Sequence, residues 1–180
     1  MAYPLLTERL SIEPLATRDL QAFVRYRQDP AIARFQSWET SYSESQARDL
    51  IGSQAGLSAP DPGDWLQLAI HEVRTGELLG DLALHAIEDE FNAFEIGFTI
   101  AGNHQGKGVA REAAGRLIDF LLQEQKATLI RACTDRRNTP SIELLLSLGF
   151  EVQPAKSWDE FFKNENVTVD QYELKGLANA

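Results

Sequence analysis

One cysteine in 180 residues, Cys133, leaves no partner for an internal disulfide, so the chain must rely on a buried core and fits a reducing compartment. Positive charge is also scarce: 17 Lys and Arg stand against 27 Asp and Glu, for a formal net charge of -10. That balance argues against direct nucleic-acid binding, which needs clustered Lys and Arg, and favours a basic or amine-bearing partner. No apolar run approaches the ~18 residues of a membrane span, and no basic segment followed by an apolar one opens the chain. No membrane partner is therefore expected, and the expected location is cytoplasmic. The three histidines, at 71, 85 and 104, have no short metal-ligand spacing, so no metal is expected. Repeats and low-complexity tracts are missing as well. Twelve Gly, seven Pro, 43% hydrophobic and 24% charged residues suit one α/β domain, assigned here to residues 1–180.

What is present is an alternation of strand and helix patterns. Leu10 and Ile12 mark a strand from about Arg9 to Pro14, and Thr17 is placed to cap a helix carrying Leu20, Phe23 and Val24. Ala31 to Phe35 reads as a short helical turn, and Ser43 caps a further helix through Gln46. After a Gly, Pro, Ser and Asp-rich loop from Gly52 to Asp64, three strands follow as two hairpins: Leu66 to Val73, Leu78 to Ile87 and Phe94 to Ile100. Val109 to Leu122 has helical apolar spacing, and Leu129 to Cys133 is a short strand. A helix from Pro140 stops at Gly149, and strands at Phe150 to Pro154 and Val167 to Leu174 flank a loop carrying Trp158, Phe161 and Phe162.

Between the third hairpin strand and the long helix lies Gln105-Gly106-Lys107-Gly108-Val109-Ala110. Two glycines at a strand-to-helix turn let backbone N–H groups converge on one point, where they can hold a phosphate. The spacing matches neither the G-x-G-x-x-G dinucleotide fingerprint nor the longer nucleoside-triphosphate loop.

With the downstream Asn138-Thr139-Pro140-Ser141 and Leu148-Gly149-Phe150, the chain resembles the GCN5-related N-acetyltransferase (GNAT) superfamily, whose acetyl-CoA loop [QR]-x-x-G-x-[GA] is matched by Gln105, Gly108 and Ala110. Thr7-Glu8-Arg9-Leu10 and Glu95-Ile96-Gly97-Phe98 are similar to the branch that includes the ribosomal-protein N-terminal acetyltransferases. The resemblance implies a single-domain α/β acyl-CoA N-acyltransferase fold: a mixed, mostly antiparallel seven-stranded sheet flanked by helices and splayed at its central parallel strands. It also implies that acetyl-CoA is a co-substrate held by Gln105, Gly106, Lys107, Gly108, Val109 and Ala110, by strand backbone at Phe98, Thr99 and Ile100, and by Asn138 and Ser141. An amine arriving from the opposite side would then take the acetyl group directly in a ternary complex, without an acyl-enzyme.

Glu95 is the first candidate for accepting the amine proton, with Asp81, His85 or water as alternatives. The tyrosine that many relatives carry seven residues after the asparagine is Leu145 here, so Ser141 is the hydroxyl left to assist departure of the CoA thiolate. His104 suits ligand contact or a simple turn, and Cys133 reads as a buried thiol rather than a nucleophile. Trp38, Tyr42, Trp65, Phe91 and Trp158 are candidate acceptor contacts or packing residues, and Glu88, Asp89 and Glu90 would make an acidic entrance for a protein N-terminus or a cationic small molecule. Exposed sheet edges leave room for a homodimer. The alternatives are a non-catalytic acyl-CoA-binding regulatory module, to which Leu145 gives support, and a nucleotide-binding enzyme.

Overall fold

The computed structural model describes residues 3–176. Its nine strands are β1 (Leu5–Leu6), β2 (Leu10–Pro14), β3 (Trp65–Glu72), β4 (Leu78–Ala86), β5 (Ala93–Ile100), β6 (Leu129–Asp135), β7 (Glu151–Val152), β8 (Trp158–Phe162) and β9 (Glu165–Lys175). The helices are α1 (Leu20–Arg27), α2 (Pro30–Ala33), α3 (Glu44–Ser53), α4 (Val109–Gln123) and α5 (Thr139–Ser147). The strands form one sheet in the order β1-β2-β3-β4-β5-β6-β9-β7, with β8 also paired to β9. Each pairing is antiparallel except β5 with β6.

The count of nine corrects the expected seven. β1 is a two-residue strand against β2. β8 occupies the expected Trp158 to Phe162 loop, because Lys163 (φ 50°) and Asn164 (φ 65°) make a two-residue hairpin turn without glycine. The expected strand at Phe150 to Pro154 shrinks to β7, since Pro154 opens a short 3-10 turn. Thr17 does not cap α1: it lies in a 3-10 turn, Thr17–Asp19, and the Asp19 carboxylate instead accepts the Ala16 N–H at 3.0 Å. Ser43 does cap α3, and the Gln46 amide oxygen accepts the Ser43 N–H in return at 2.8 Å.

Alternation along the strands divides the core by sheet face. Leu66, Leu68, Leu82, Leu84, Ile96 and Ile130 pack under α4 and α5 with Leu117, Leu121 and Leu145. Leu117 and Leu121 are fully buried, a contribution of about 2–3 kcal/mol each. Ala69, on the opposite face, packs with Phe23, Tyr26 and Ala47 under α1 and α3. The N-termini of α4 and α5 both fall beside the parallel pair. No helix among the described residues is long and apolar enough to cross a membrane.

Candidate active site

The parallel pair is only briefly joined. Ala93 pairs with Leu129, Phe94 with Ile130 and Glu95 with Arg131, and the register ends there. β5 nevertheless stays on β4 as far as Ile100, and β6 stays on β9 as far as Asp135. The two halves of the sheet therefore part in a V whose vertex is Glu95 and Arg131. A cavity of about 620 Å³ fills the opening, with Ile96 to Ile100 on one wall and Ala132, Cys133 and Thr134 on the other. Backbone groups along those facing edges need water or a ligand, since neither strand supplies the other with partners.

At the open end of the V stands the glycine turn. Gly106 (φ 71°) and Gly108 (φ 77°) are left-handed, Gly108 is the N-cap residue of α4, and no side chain caps that helix. A Cβ on Gly106 would meet nothing within 4 Å and one on Gly108 only Arg9 Nη2 at 3.6 Å, so backbone conformation, not lack of space, requires glycine. The uncapped N-terminus of α4 faces the cavity through Gly108, Val109 and Ala110, an arrangement suited to an anion. Lys107 does not line the cavity; its carbonyl accepts Arg9 Nη1 at 3.3 Å. Gln105 lines it, while its amide donates to the Ile100 carbonyl at 2.9 Å and fixes the end of β5.

The turn is braced from the N-terminal segment. Thr7 Oγ1 donates to Glu112 Oε1 at 2.5 Å, and Arg9 Nε donates to Glu112 Oε2 at 2.7 Å. Burial alone would raise the Glu112 pKa, but the Thr7 and Arg9 hydrogen bonds outweigh it and hold the carboxyl below its ordinary range. Thr7 and Arg9 thus tie the β1–β2 connection to the first turn of α4.

α5 supplies the other rim. Asn138 is its N-cap residue but makes no side-chain cap, so the capping alternative for its amide is not realised and the side chain remains at the cavity wall. Ser141 lies beside it, its hydroxyl without a protein partner among the described residues, and Leu145 is buried in the core with one edge on the cavity.

Glu95 stands at the vertex, on the face away from α4, and does not line the cavity itself. Burial raises its pKa, opposed by Arg131 and His85. His85 is directly across on β4 and stacks on Trp65 with centroids 4.7 Å apart, while Arg131 is paired to Glu90. Asp81 is buried and already accepts from the Tyr26 hydroxyl and the Gln67 amide, with Arg27 Nη2 at 3.9 Å. Burial raises its pKa too. Cys133, expected to be buried, is partly buried on the cavity wall, with burial and Glu95 pushing its thiol up to about 12, which disfavours the thiolate. His104 lines the cavity, with Nε2 3.1 Å from Glu77 Oε1.

Of the aromatic candidates, Trp38 and Tyr42 pack around Arg27, whose guanidinium carbon is 3.7 Å and 4.9 Å from their ring centroids. Trp65, Phe91 and Trp158 are exposed and do not line the cavity, nor do Glu88, Asp89 and Glu90. Sequence reasoning missed the wall opposite the glycine turn, where Ala31, Ile32, Phe35 and Gln36 close the cavity. A helix of only four residues shows too little periodicity to mark it.

Residues 9–151 match the acetyltransferase (GNAT) domain family. The uncharacterised N-acetyltransferase p20 of Bacillus licheniformis is 33% identical over 147 residues, 82% of each chain. Among solved structures, a GNAT-family acetyltransferase from Bacillus anthracis superposes with a TM-score of 0.81 at 20% identity, over 94% of this chain and 96% of that one. The spermidine N-acetyltransferase of Vibrio cholerae, in complex with CoA and spermine, superposes with a TM-score of 0.79 at 19% identity, again over 94% and 96%.

Proposed function

The chain belongs to the GNAT acetyltransferase family, and from that premise we propose that it transfers the acetyl group of acetyl-CoA directly to a primary amine in a ternary complex. The observation that carries this reading is the coincidence of three features at one place: an opened pair of parallel strands, an uncapped helix N-terminus behind two left-handed glycines, and a cavity running between them. The amides of the turn through Ala110 suit the diphosphate, and the free edge of Phe98 to Ile100 suits the amides of the pantetheine arm. Asn138 and Ser141 border the same path. Acetyl-CoA supplies an activated acyl carbon on a sulfur leaving group.

In the transfer a C–N bond forms, the C–S bond breaks, the amine loses a proton and the departing sulfur gains one. Glu95 takes the amine proton, directly or through water: it sits where the strands part, and its raised pKa makes it a stronger base than an ordinary carboxylate. Ser141 donates a hydrogen bond toward sulfur, since Leu145 offers none. Holding amine and acyl carbon in line supplies several kcal/mol, on the order of the entropy of a bimolecular encounter. Thr7-Glu8-Arg9-Leu10 and Glu95-Ile96-Gly97-Phe98 support a protein N-terminal α-amine as one acceptor and the chain's net negative charge a cationic small molecule as another.

The test is thiol release from acetyl-CoA by the purified full chain with a panel of amines, with mass detection of the acetylated product. Turnover supports the enzyme; saturable CoA binding without turnover against every amine would support a regulatory module instead.

A further inference from the structure

We propose that the acceptor half of the cavity selects a primary monoamine on a compact, uncharged body over a diamine or polyamine. The inference deepens the acetyl-transfer reading of the same site and rests on it. On the face covered by α1 to α3, the cavity is walled by Ala31, Ile32, Phe35 and Gln36, with Gly97 and Cys133 across the opened strands. No Asp or Glu is among the described residues that line it.

The carboxylates flanking this segment already have partners: Asp29 Oδ1 accepts the Ala31 N–H at 2.9 Å, and Glu39 Oε1 lies 3.8 Å from Lys163 Nζ. Asp81, deeper in the core, is held by Tyr26 and Gln67. Glu95, at the vertex, receives the proton of the reacting amine and so is not available as a counterion for a second ammonium. The cations beside the wall each have a carboxylate of their own, Arg27 with Asp81 at 3.9 Å and Lys163 with Glu39 at 3.8 Å. The Arg27 guanidinium is stacked on Phe23 and Trp38, and Lys163 Nζ donates to the Ala33 carbonyl at 2.7 Å and the Trp38 carbonyl at 2.5 Å. A second ammonium placed here would lose hydration and meet no carboxylate on the cavity wall.

The wall is also held in place. Lys163 ties the tip of the β8–β9 hairpin to both ends of the segment, and Trp38 Nε1 donates to the Arg27 carbonyl at 3.1 Å. Gln36 presents an amide with no side-chain partner among the described residues, a neutral group left to touch the acceptor. The chain's charge of -10 draws cations toward the molecule, but that attraction is screened over about 8–10 Å, whereas selection is made at contact inside the cavity.

The experiment uses a matched pair, 1-aminopentane and 1,4-diaminobutane, which differ by a terminal methyl against a terminal ammonium, with spermidine as a third acceptor. Thiol release by the full chain should give the monoamine a kcat/KM at least about tenfold above either polyamine. Gln36→Glu, an isosteric change on a half-buried side chain, should narrow that ratio by roughly threefold through one partly exposed ion pair, with the Kd of acetyl-CoA unchanged. Equal or better turnover of 1,4-diaminobutane by the wild type would overturn the inference and leave acetyl transfer standing. An unchanged ratio in Gln36→Glu would overturn the assignment of this wall to the acceptor. CoA binding with no thiol released from any amine would remove the acetyl-transfer reading and this inference together.

Discussion

Replacing Glu95 by Gln should stabilise the protein at neutral pH while slowing acetyl transfer. The carboxylate is half-buried, accepts no hydrogen bond among the described residues and has its pKa raised chiefly by burial, with Arg131 and His85 acting against the rise. Because the folded state holds this proton more tightly than the unfolded chain, the group's contribution to stability is complete below its ordinary value of 4.5 and is lost as pH rises through the higher folded value. At neutral pH the folded protein thus carries an ionised, poorly solvated group. Leaving such a group without hydrogen bonds costs about 1–3 kcal/mol, and a partly exposed attraction to Arg131 returns about 0.5–1 kcal/mol. Glu95→Gln should therefore gain about 1 kcal/mol, a rise in Tm of roughly 2–4 °C for a chain of this size. Thermal melts followed by circular dichroism at about pH 7.5 should show the gain, and melts at about pH 4 should show the two proteins converging. The same variant should lose about a hundredfold in kcat/KM and the low-pH limb of the rate profile. A variant less stable than wild type at the higher pH, or a gain equal at both, would refute the reasoning.

Three further changes probe the rest of the site. Ser141→Ala should lower kcat by about tenfold with the Kd of acetyl-CoA nearly kept, as single-turnover kinetics and calorimetry would show, because one hydrogen bond toward the leaving sulfur is lost. Gly108→Ala puts a side chain on a residue at φ 77°, a cost of about 1–2 kcal/mol; denaturant unfolding should register it and CoA affinity should drop by about tenfold. Lys163→Met removes two hydrogen bonds that hold the α2 segment. It should cost about 1–2 kcal/mol and speed amide exchange between Ala33 and Trp38, with CoA binding unaltered.

Local signals located most of the elements. Ser43 and Gln46 announced the start of α3, Gly149 the end of α5, and the alternation Phe94, Ile96, Phe98 the inward face of β5. Misreadings arose where local preference was weak or overridden. Lys163 and Asn164 turn a hairpin that usually asks for Asn-Gly, so β8 was taken for a loop. Asp19, not Thr17, directly precedes α1, and its carboxylate turns back to the Ala16 N–H. The glycine turn, Asn138 and Ser141 stood out as candidates because each sits at a helix start with its own short motif, and all of them but Lys107 border the cavity.

The amino-acid order by itself determined the run of strands and helices, the left-handed glycine turn and the excess of acid, since each depends on neighbouring residues or on a sum over the chain. Only the tertiary structure decided where β5 and β6 separate, that Glu95 stands at that point, that Asp81 is engaged by Tyr26 and Gln67, and that the segment held by Lys163 closes the far wall. Those outcomes depend on which distant segments meet: beyond Glu95 and Arg131, β5 runs on with β4 and β6 with β9 while the two halves diverge, a geometry that no local pattern records.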